Sequence, residues 1–278
     1  MPEGPEIARE ADRIREAITG KDVTRIRFAF PKLALRADRF QGAHVCSVRP
    51  KGKAMLIGFD NALTIYSHNQ LYGRWYVRDA GSLPSTGRQL RLAIETSSKW
   101  ALLYSASEID ILDEDGIRAH PYLSKLGPDA LDQGLDADAI SVRLEDARFR
   151  RRGLGGLLLD QSFVAGLGNY LRSEICFEAR LHPDQCPVQL SRAERRRLSR
   201  AILKITRRAY DTGGVTLPAG RSRALRTAGL SFGKARHWVF ARSREECRRC
   251  DGRIDRFDLA GRRVYVCNQC QPARLRSK

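Results

Sequence analysis

The sequence has no run of apolar residues near the ~20 that a bilayer-crossing helix needs, so no membrane segment and no membrane partner are expected. The start, MPEGPEIARE, places two acids before any base and has no apolar segment; it lacks the pattern of a secretory signal or transit peptide, and a cytoplasmic protein is expected. There is no internal repeat and no low-complexity tract. Acidic residues are in deficit: 32 Asp and Glu stand against 50 Lys and Arg, a net charge of +18. An excess of one sign on this scale commonly serves to neutralise phosphates and release their counterions, which points to nucleic acid; an arginine-rich genome composition is the other source of such an excess. The seven cysteines are an odd number with two CxxC pairs, which argues against a disulfide framework and for metal ligation in a reducing compartment. Cys46, Cys176 and Cys186 lie outside those pairs and are read as small core residues.

What is present suits two domains in 278 residues. After Pro5, apolar residues at Ile7, Ala11, Ile14 and Ile18 predict an amphipathic helix, with Gly20 where a C-terminal cap belongs. From Val23 to about Ser107 the chain breaks into short strand-like runs, TRIRFAF, AMLIGF, ALTIYS, RWYV, QLRLAIE and WALLYS, punctuated by turn formers, which predicts an antiparallel sandwich. A turn-rich stretch near 121–134 marks the domain junction. Helices follow, one of them LSRAERRRLSRAILKITRRAY, where Ser191 and Glu194 form a capping box and Leu198, Ile202 and Ile205 share a face opposite a dense basic one. Residues 211–246 are Gly- and Arg-rich with weak periodicity and are read as a mobile basic loop.

Three features carry chemistry. Cys247-x2-Cys250 and Cys267-x2-Cys270 are two knuckles that can set four thiolates tetrahedrally around zinc, a closed structural site with no position left for catalysis. The insert between them, RIDRFDLAGRRVYV, predicts two strands turning near Leu259–Gly261, and a ribbon bearing arginines fits a DNA groove. The run GLGNY at 166–170 predicts a tight turn into a helix capped by Asn169, which either cradles a phosphate or only turns the chain. At the N-terminus, removal of Met1 exposes the secondary amine of Pro2, directly followed by the carboxyl of Glu3 and projecting from the positive end of the first helix. Such an amine can form an iminium ion with an aldehyde-level carbon, an electron sink for elimination. Proline at position 2 is also common without any such role.

MPEGPEI, KGKAML, LTIYSHNQLYGRW, GLLLDQSFVAGLGNYLRSEI and the terminal knuckles, in this order, resemble the formamidopyrimidine-DNA glycosylase and endonuclease VIII family, its endonuclease VIII members above all. The resemblance implies an α+β fold of two domains: an N-terminal antiparallel β-sandwich with an N-terminal helix (1–123), a linker (124–134), and a helical helix–two-turn–helix domain (135–240) ending in a β-hairpin zinc finger (241–274). It implies a monomeric, bifunctional DNA glycosylase and AP lyase of bacterial base excision repair, associated with the nucleoid, with one structural Zn2+. The implied nucleophile is Pro2 and the acid Glu3, with Lys53 near the sugar and phosphate. Glu6 and Glu174 are auxiliary catalytic candidates, though an acid at position 6 also suits the helix dipole alone. Double-stranded DNA containing oxidised bases or abasic sites is the implied partner. Gln70, Leu71 and Tyr72 match the wedge that fills the hole left by a flipped nucleotide, the ordinary alternative being a turn with a buried Leu–Tyr pair. Asn169 and Arg262 match a phosphate-gripping pair.

The wedge favours oxidised pyrimidines as substrate. Alternatives are oxidised purines, since the 211–246 segment is longer than in typical endonuclease VIII and lies where relatives keep a lesion-contacting loop, or a non-catalytic zinc-ribbon DNA-binding protein, which would leave Pro2 and Glu3 without a task.

Overall fold

Ile7, Ala11, Ile14 and Ile18 fall on the buried face of α1 (Gly4–Ile18), as their spacing predicts. Pro5 stands in the first turn, where its missing N–H has no intrahelical partner to lose, and Gly20 takes a φ of +76° just past the helix end. The structure, a computed structural model, describes residues 2–273 and divides into two units, Met1–Lys125 and Leu126–Lys278. Met1, whose removal the proline chemistry requires, and residue 274 of the expected zinc finger lie outside the described residues. Among those described, no helix is long and apolar enough to cross a membrane.

In the first unit, α1 is followed by β1 (Val23–Phe28), α2 (Pro31–Ala34), β2 (Val45–Lys51), β3 (Ala54–Phe59), β4 (Thr64–His68), β5 (Arg74–Asp79), β6 (Leu90–Thr96), β7 (Lys99–Tyr104), β8 (Glu108–Leu112) and α3 (Glu114–Ala119). The strands form two antiparallel sheets ordered β1-β6-β7-β5 and β2-β3-β4-β8. Inward side chains of both sheets, Phe28, Leu92, Ile57 and Ile111 among them, share one core with the apolar face of α1, the arrangement of a sandwich. Strand β3 is buried on both faces: Ala54 and Leu56 turn away from that core and meet Tyr66 beneath Tyr122 and Leu123. Cys46 is exposed, contrary to its reading as a core residue, because the β2–β3 register shifts between Val45 and Ser47.

The second unit contains α4 (Ala137–Glu145), α5 (Leu154–Leu157), α6 (Asn169–Ala179), α7 (Arg192–Thr212), α8 (Ala219–Thr227) and a hairpin of β9 (Ile254–Leu259) and β10 (Arg262–Cys267). Leu171 and Ile175 of α6 pack with Leu198, Ile202 and Ile205 of α7 in its core. Ser191 caps α7: its Oγ accepts from Glu194 N–H at 3.2 Å while Glu194 Oε2 accepts from Ser191 N–H at 2.8 Å. Ala260 and Gly261 turn the hairpin with φ of 53° and 70°, the left-handed pair of a two-residue turn.

The linker is shorter than 124–134, since Gly127 N–H already donates to Gln161 O (2.9 Å) and Ala130 N–H to Ala165 O (3.1 Å) inside the second unit. Residues 211–246 are not a free loop: they contain α8, and Val215, Leu217, Trp238 and Val239 are buried in a core with Ile254 and Tyr265. Those anchors are single apolar positions without a period, so hydrophobic patterning passes over them.

Candidate active site and nucleic-acid interface

Pro2 is half-buried and Glu3, only 3 % exposed, is the N-cap residue of α1. Glu3 N–H donates to Glu6 Oε2 at 2.9 Å, the returning arm of a capping box. Glu6 therefore has a structural task in the chain itself, the helix-start role that was its alternative reading. Lys53 shares a two-residue turn with Gly52: Lys51 pairs with Ala54, and Gly52 takes a φ of +61°. Lys53 is 8 % exposed, unlike an ordinary solvated lysine, and its N–H donates to Tyr122 Oη at 3.0 Å. Helix α1 packs on both strands that this turn joins.

The segment from β4 to β5 presents Leu71 and Tyr72 to solvent, 56 % and 68 % exposed, which removes the alternative of a buried Leu–Tyr pair. Its base is tight. Gly73 N–H donates to Asn69 O at 2.7 Å, and a Cβ at Gly73 would lie 2.6 Å from Asn69 Cα. Buried Asn69 donates from Nδ2 to Glu10 Oε2 of α1 at 2.7 Å. Burial pushes the Glu10 carboxyl up to about 7, against the Asn69 hydrogen bond and the charges of Arg13 and Arg74 that favour its ionised form. Gln70 is tied to Glu108 and Ser107 at the start of β8.

In the second unit Asn169 is the first residue of α6, whose N-cap is Gly168, one position earlier than GLGNY suggests. Three residues on, Arg172 has no exposed surface. Its Nη2 donates to Asn169 Oδ1 (2.7 Å), Arg262 O (3.1 Å) and Arg263 O (2.9 Å), and its Nη1 to Leu259 O (2.9 Å) and Gly155 O (3.2 Å). One guanidinium thus fastens the start of α6 to the turn of the four-cysteine hairpin and brings the backbone of Arg262 beside Asn169. Nothing in the sequence marks Arg172 beyond its i,i+3 spacing from Asn169.

Glu174 is fully buried and does not stand open to a substrate. Its Oε1 accepts from Val239 and Phe240 N–H at 2.8 and 2.9 Å, and its Oε2 from Trp238 N–H at 2.8 Å and from Thr216 Oγ1. The catalytic expectation for Glu174 gives way to an anchoring role, because its oxygens are already taken by backbone and hydroxyl donors.

Cys247, Cys250, Cys267 and Cys270 bring their sulfurs within 4.8 Å of one another. Separations of 3.9 Å for Cys247–Cys270 and 3.4 Å for Cys250–Cys267 suit sulfurs about 2.3 Å from a shared tetrahedral metal. Arg249 N–H points to Cys247 Sγ at 3.4 Å, a donor aimed at a ligand sulfur. The four thiols fit a metal ion with no ligand position left over. Along α7, Arg192, Arg196, Arg200 and Lys204 recur every four residues and line a groove of about 870 Å³. Glu178, the acid of that groove, is already held by Lys204 and Arg249, while among the described residues Arg192 and Arg200 have no ion-pair partner.

Residues 1–107 match the formamidopyrimidine-DNA glycosylase N-terminal domain and residues 126–219 the formamidopyrimidine-DNA glycosylase H2TH domain. The chain is 46 % identical to Endonuclease 8 of Pectobacterium atrosepticum and 44 % identical to that of Klebsiella pneumoniae, each over 98 % of this chain and 100 % of the relative. Among solved structures, a Lactococcus lactis Fpg complex with THF-DNA and an inhibitor superposes with a TM-score of 0.80 at 21 % identity, covering 98 % of this chain and 100 % of that one. A complex of the same protein with abasic-site DNA gives 0.79 at 20 % identity over the same shares. The chain belongs to the formamidopyrimidine-DNA glycosylase and endonuclease 8 family of DNA-repair enzymes.

Proposed function

We propose that this DNA glycosylase and AP lyase, once Met1 is removed, excises oxidised pyrimidines through a Schiff base on Pro2. The amine attacks C1′ of the damaged nucleotide and Glu3 gives a proton to the ring oxygen as the C1′–O4′ bond opens. The base leaves with the electrons of the glycosidic bond and takes up a proton, and the nitrogen becomes an iminium. Loss of a C2′ proton then drives β-elimination, breaking the C3′–O bond; loss of the C4′ proton drives a second, δ-elimination that breaks the C5′–O bond. Hydrolysis of the iminium ion frees Pro2, leaving a one-nucleotide gap with phosphate at both ends. Lys53 lies near the sugar and phosphate. Asn169 and Arg262 grip the backbone, contacts that supply affinity and not base choice.

The observation that carries this reading is the buried carboxyl of Glu3 next to Pro2 at the positive end of α1. The exposed Leu71 and Tyr72, with relatives named Endonuclease 8, support pyrimidine lesions. One zinc ion in the four-cysteine cluster serves folding alone. The enzyme works as a monomer on duplex DNA of the bacterial nucleoid, the first unit carrying the chemistry and the second the grip, with the zinc finger spanning 241–274.

Borohydride reduction of the processed protein with abasic-site duplex is the test. A covalent protein–DNA adduct that Pro2→Gly abolishes supports the mechanism, and its absence in the unaltered enzyme refutes it. Faster excision of thymine glycol than of 8-oxoguanine is expected; the reverse order makes purines the substrate.

A further inference from the structure

Gln70 is a residue under strain. Its φ of 48° lies in the left-handed region, where side chains other than glycine and asparagine are uncommon, yet the position holds a long polar one. The side chain itself is held at both ends. Gln70 Nε2 donates to Glu108 Oε2 at 2.9 Å, and Gln70 Oε1 accepts from Ser107 Oγ at 2.7 Å. Glu108 also accepts from Tyr66 Oη at 2.8 Å and faces His68 Nδ1 at 3.3 Å. Burial works against its charge, but the Tyr66, Gln70 and His68 contacts outweigh burial and hold the carboxyl below its ordinary range.

An ionised carboxylate only accepts hydrogen bonds, so the amide end facing Glu108 must be the NH2. A 180° flip would set the amide oxygen against that carboxylate; the Ser107 hydroxyl, which can donate or accept, is a second tether that holds the amide in place. The flip is blocked, leaving one N–H and one carbonyl lone pair of Gln70 at fixed places on an exposed turn. The neighbouring residue is fixed as well, through Asn69 and Glu10, so the amide cannot be re-aimed by swinging the turn. An amide with its donor and acceptor ends fixed distinguishes bases by their own donors and acceptors; one free to flip adapts to any of them.

We propose that Ser107 and Glu108 are positioning residues that set the enzyme's preference for the base opposite the lesion, by locking the orientation of the Gln70 amide. The proposal rests on the reading of residues 70–72 as the segment that enters the duplex.

Four duplexes carrying one abasic site opposite A, C, G or T provide the test, the readout being the ratio of kcat/KM between the best and worst opposite base. Ser107→Ala and Glu108→Gln should each bring that ratio at least threefold closer to one, and Ser107→Thr, which keeps the hydroxyl, should restore it. Reading a ratio makes the result independent of overall activity or stability. Wild-type ratios in both Ser107→Ala and Glu108→Gln, or a wild type indifferent to the opposite base, overturn the proposal. Gln70→Ala separates the two levels. If it too keeps the wild-type ratio, the reading of 70–72 fails; if it alone collapses the ratio, only the positioning by Ser107 and Glu108 fails.

Discussion

Arg172 Nη2 lies 2.7 Å from Asn169 Oδ1, so the oxygen of the Asn169 amide faces the protein and its NH2 is the end left for the proposed phosphate contact. The same guanidinium is bound to the carbonyls of Arg262 and Arg263, so the two halves of the proposed backbone grip share one buried cation. Arg172→Lys keeps the charge but cannot reproduce the planar fork. It is expected to weaken binding of undamaged and abasic duplex alike by about tenfold, or ~1.4 kcal/mol, and to lower stability by ~2–4 kcal/mol. DNA titrations and urea unfolding read the two effects. A loss of stability with unchanged affinity would show that the cation holds the hairpin without orienting Asn169.

The metal enters through the same contact. Stripping zinc with a chelator, or Cys250→Ser, removes the restraint on the hairpin that carries Leu259, Arg262 and Arg263. Structural zinc sites contribute on the order of 10 kcal/mol to folding, so the hairpin should not survive the loss. Metal analysis should give one zinc per chain, and duplex affinity should fall more than a hundredfold on its removal, although the thiols have no part in the proposed chemistry. Retained affinity in the metal-free protein would contradict this coupling.

Glu10 gives a pH dependence of stability with a definite sign. Burial raises its pKa from 4.5 to about 7 in the folded protein, so the folded state binds the proton more tightly than the unfolded chain. Its contribution is therefore largest below pH 4.5 and is lost as pH rises through that window to about 7. Glu10→Gln cannot ionise and still offers an oxygen to Asn69. It should be more stable than the wild type at pH 8 by ~1–3 kcal/mol and lose that advantage at pH 4. Urea midpoints at the two pH values decide; a difference that does not change with pH would assign the effect to packing.

Leu71 and Tyr72 are the exposed apolar pair of the 69–73 turn, and their proposed work exists only where a duplex leaves a hole to fill. Changing both to Ala should slow abasic-site cleavage in duplex DNA by about 10- to 100-fold and in single strands by less than about threefold, an unstacking cost of a few kcal/mol being no longer offset. Equal losses on both substrates would count against insertion.

Much of this was readable in the sequence where one physical period dominates. The Ile7–Ile18 face, the Ser191–Glu194 cap and the two cysteine knuckles all appear where spacing predicts them. Long-range polar pairing was not readable. Arg172 and Glu174 look like surface residues of a helix, and only the fold brings Glu174 its donors 64 to 66 residues away. Gln70 is similar: nothing local says that Glu108, 38 residues on, fixes it. The 211–246 segment misled for a different reason, since its arginines and glycines outnumber the few apolar anchors that hold it.

Those anchors have a consequence for how the protein can change. Glu174 clasps the chain at Thr216 and again at Trp238–Phe240, so everything between is a closed loop with both feet fixed in the core. Lengthening a closed loop raises its closure entropy only with the logarithm of its size, about 0.6 kcal/mol per doubling. Insertions and deletions between residues 217 and 237 should therefore be tolerated by the fold where they leave the buried Leu217, Ser222, Ala235 and His237 in place. This makes the stretch one whose length can drift while the core beneath it stays unchanged.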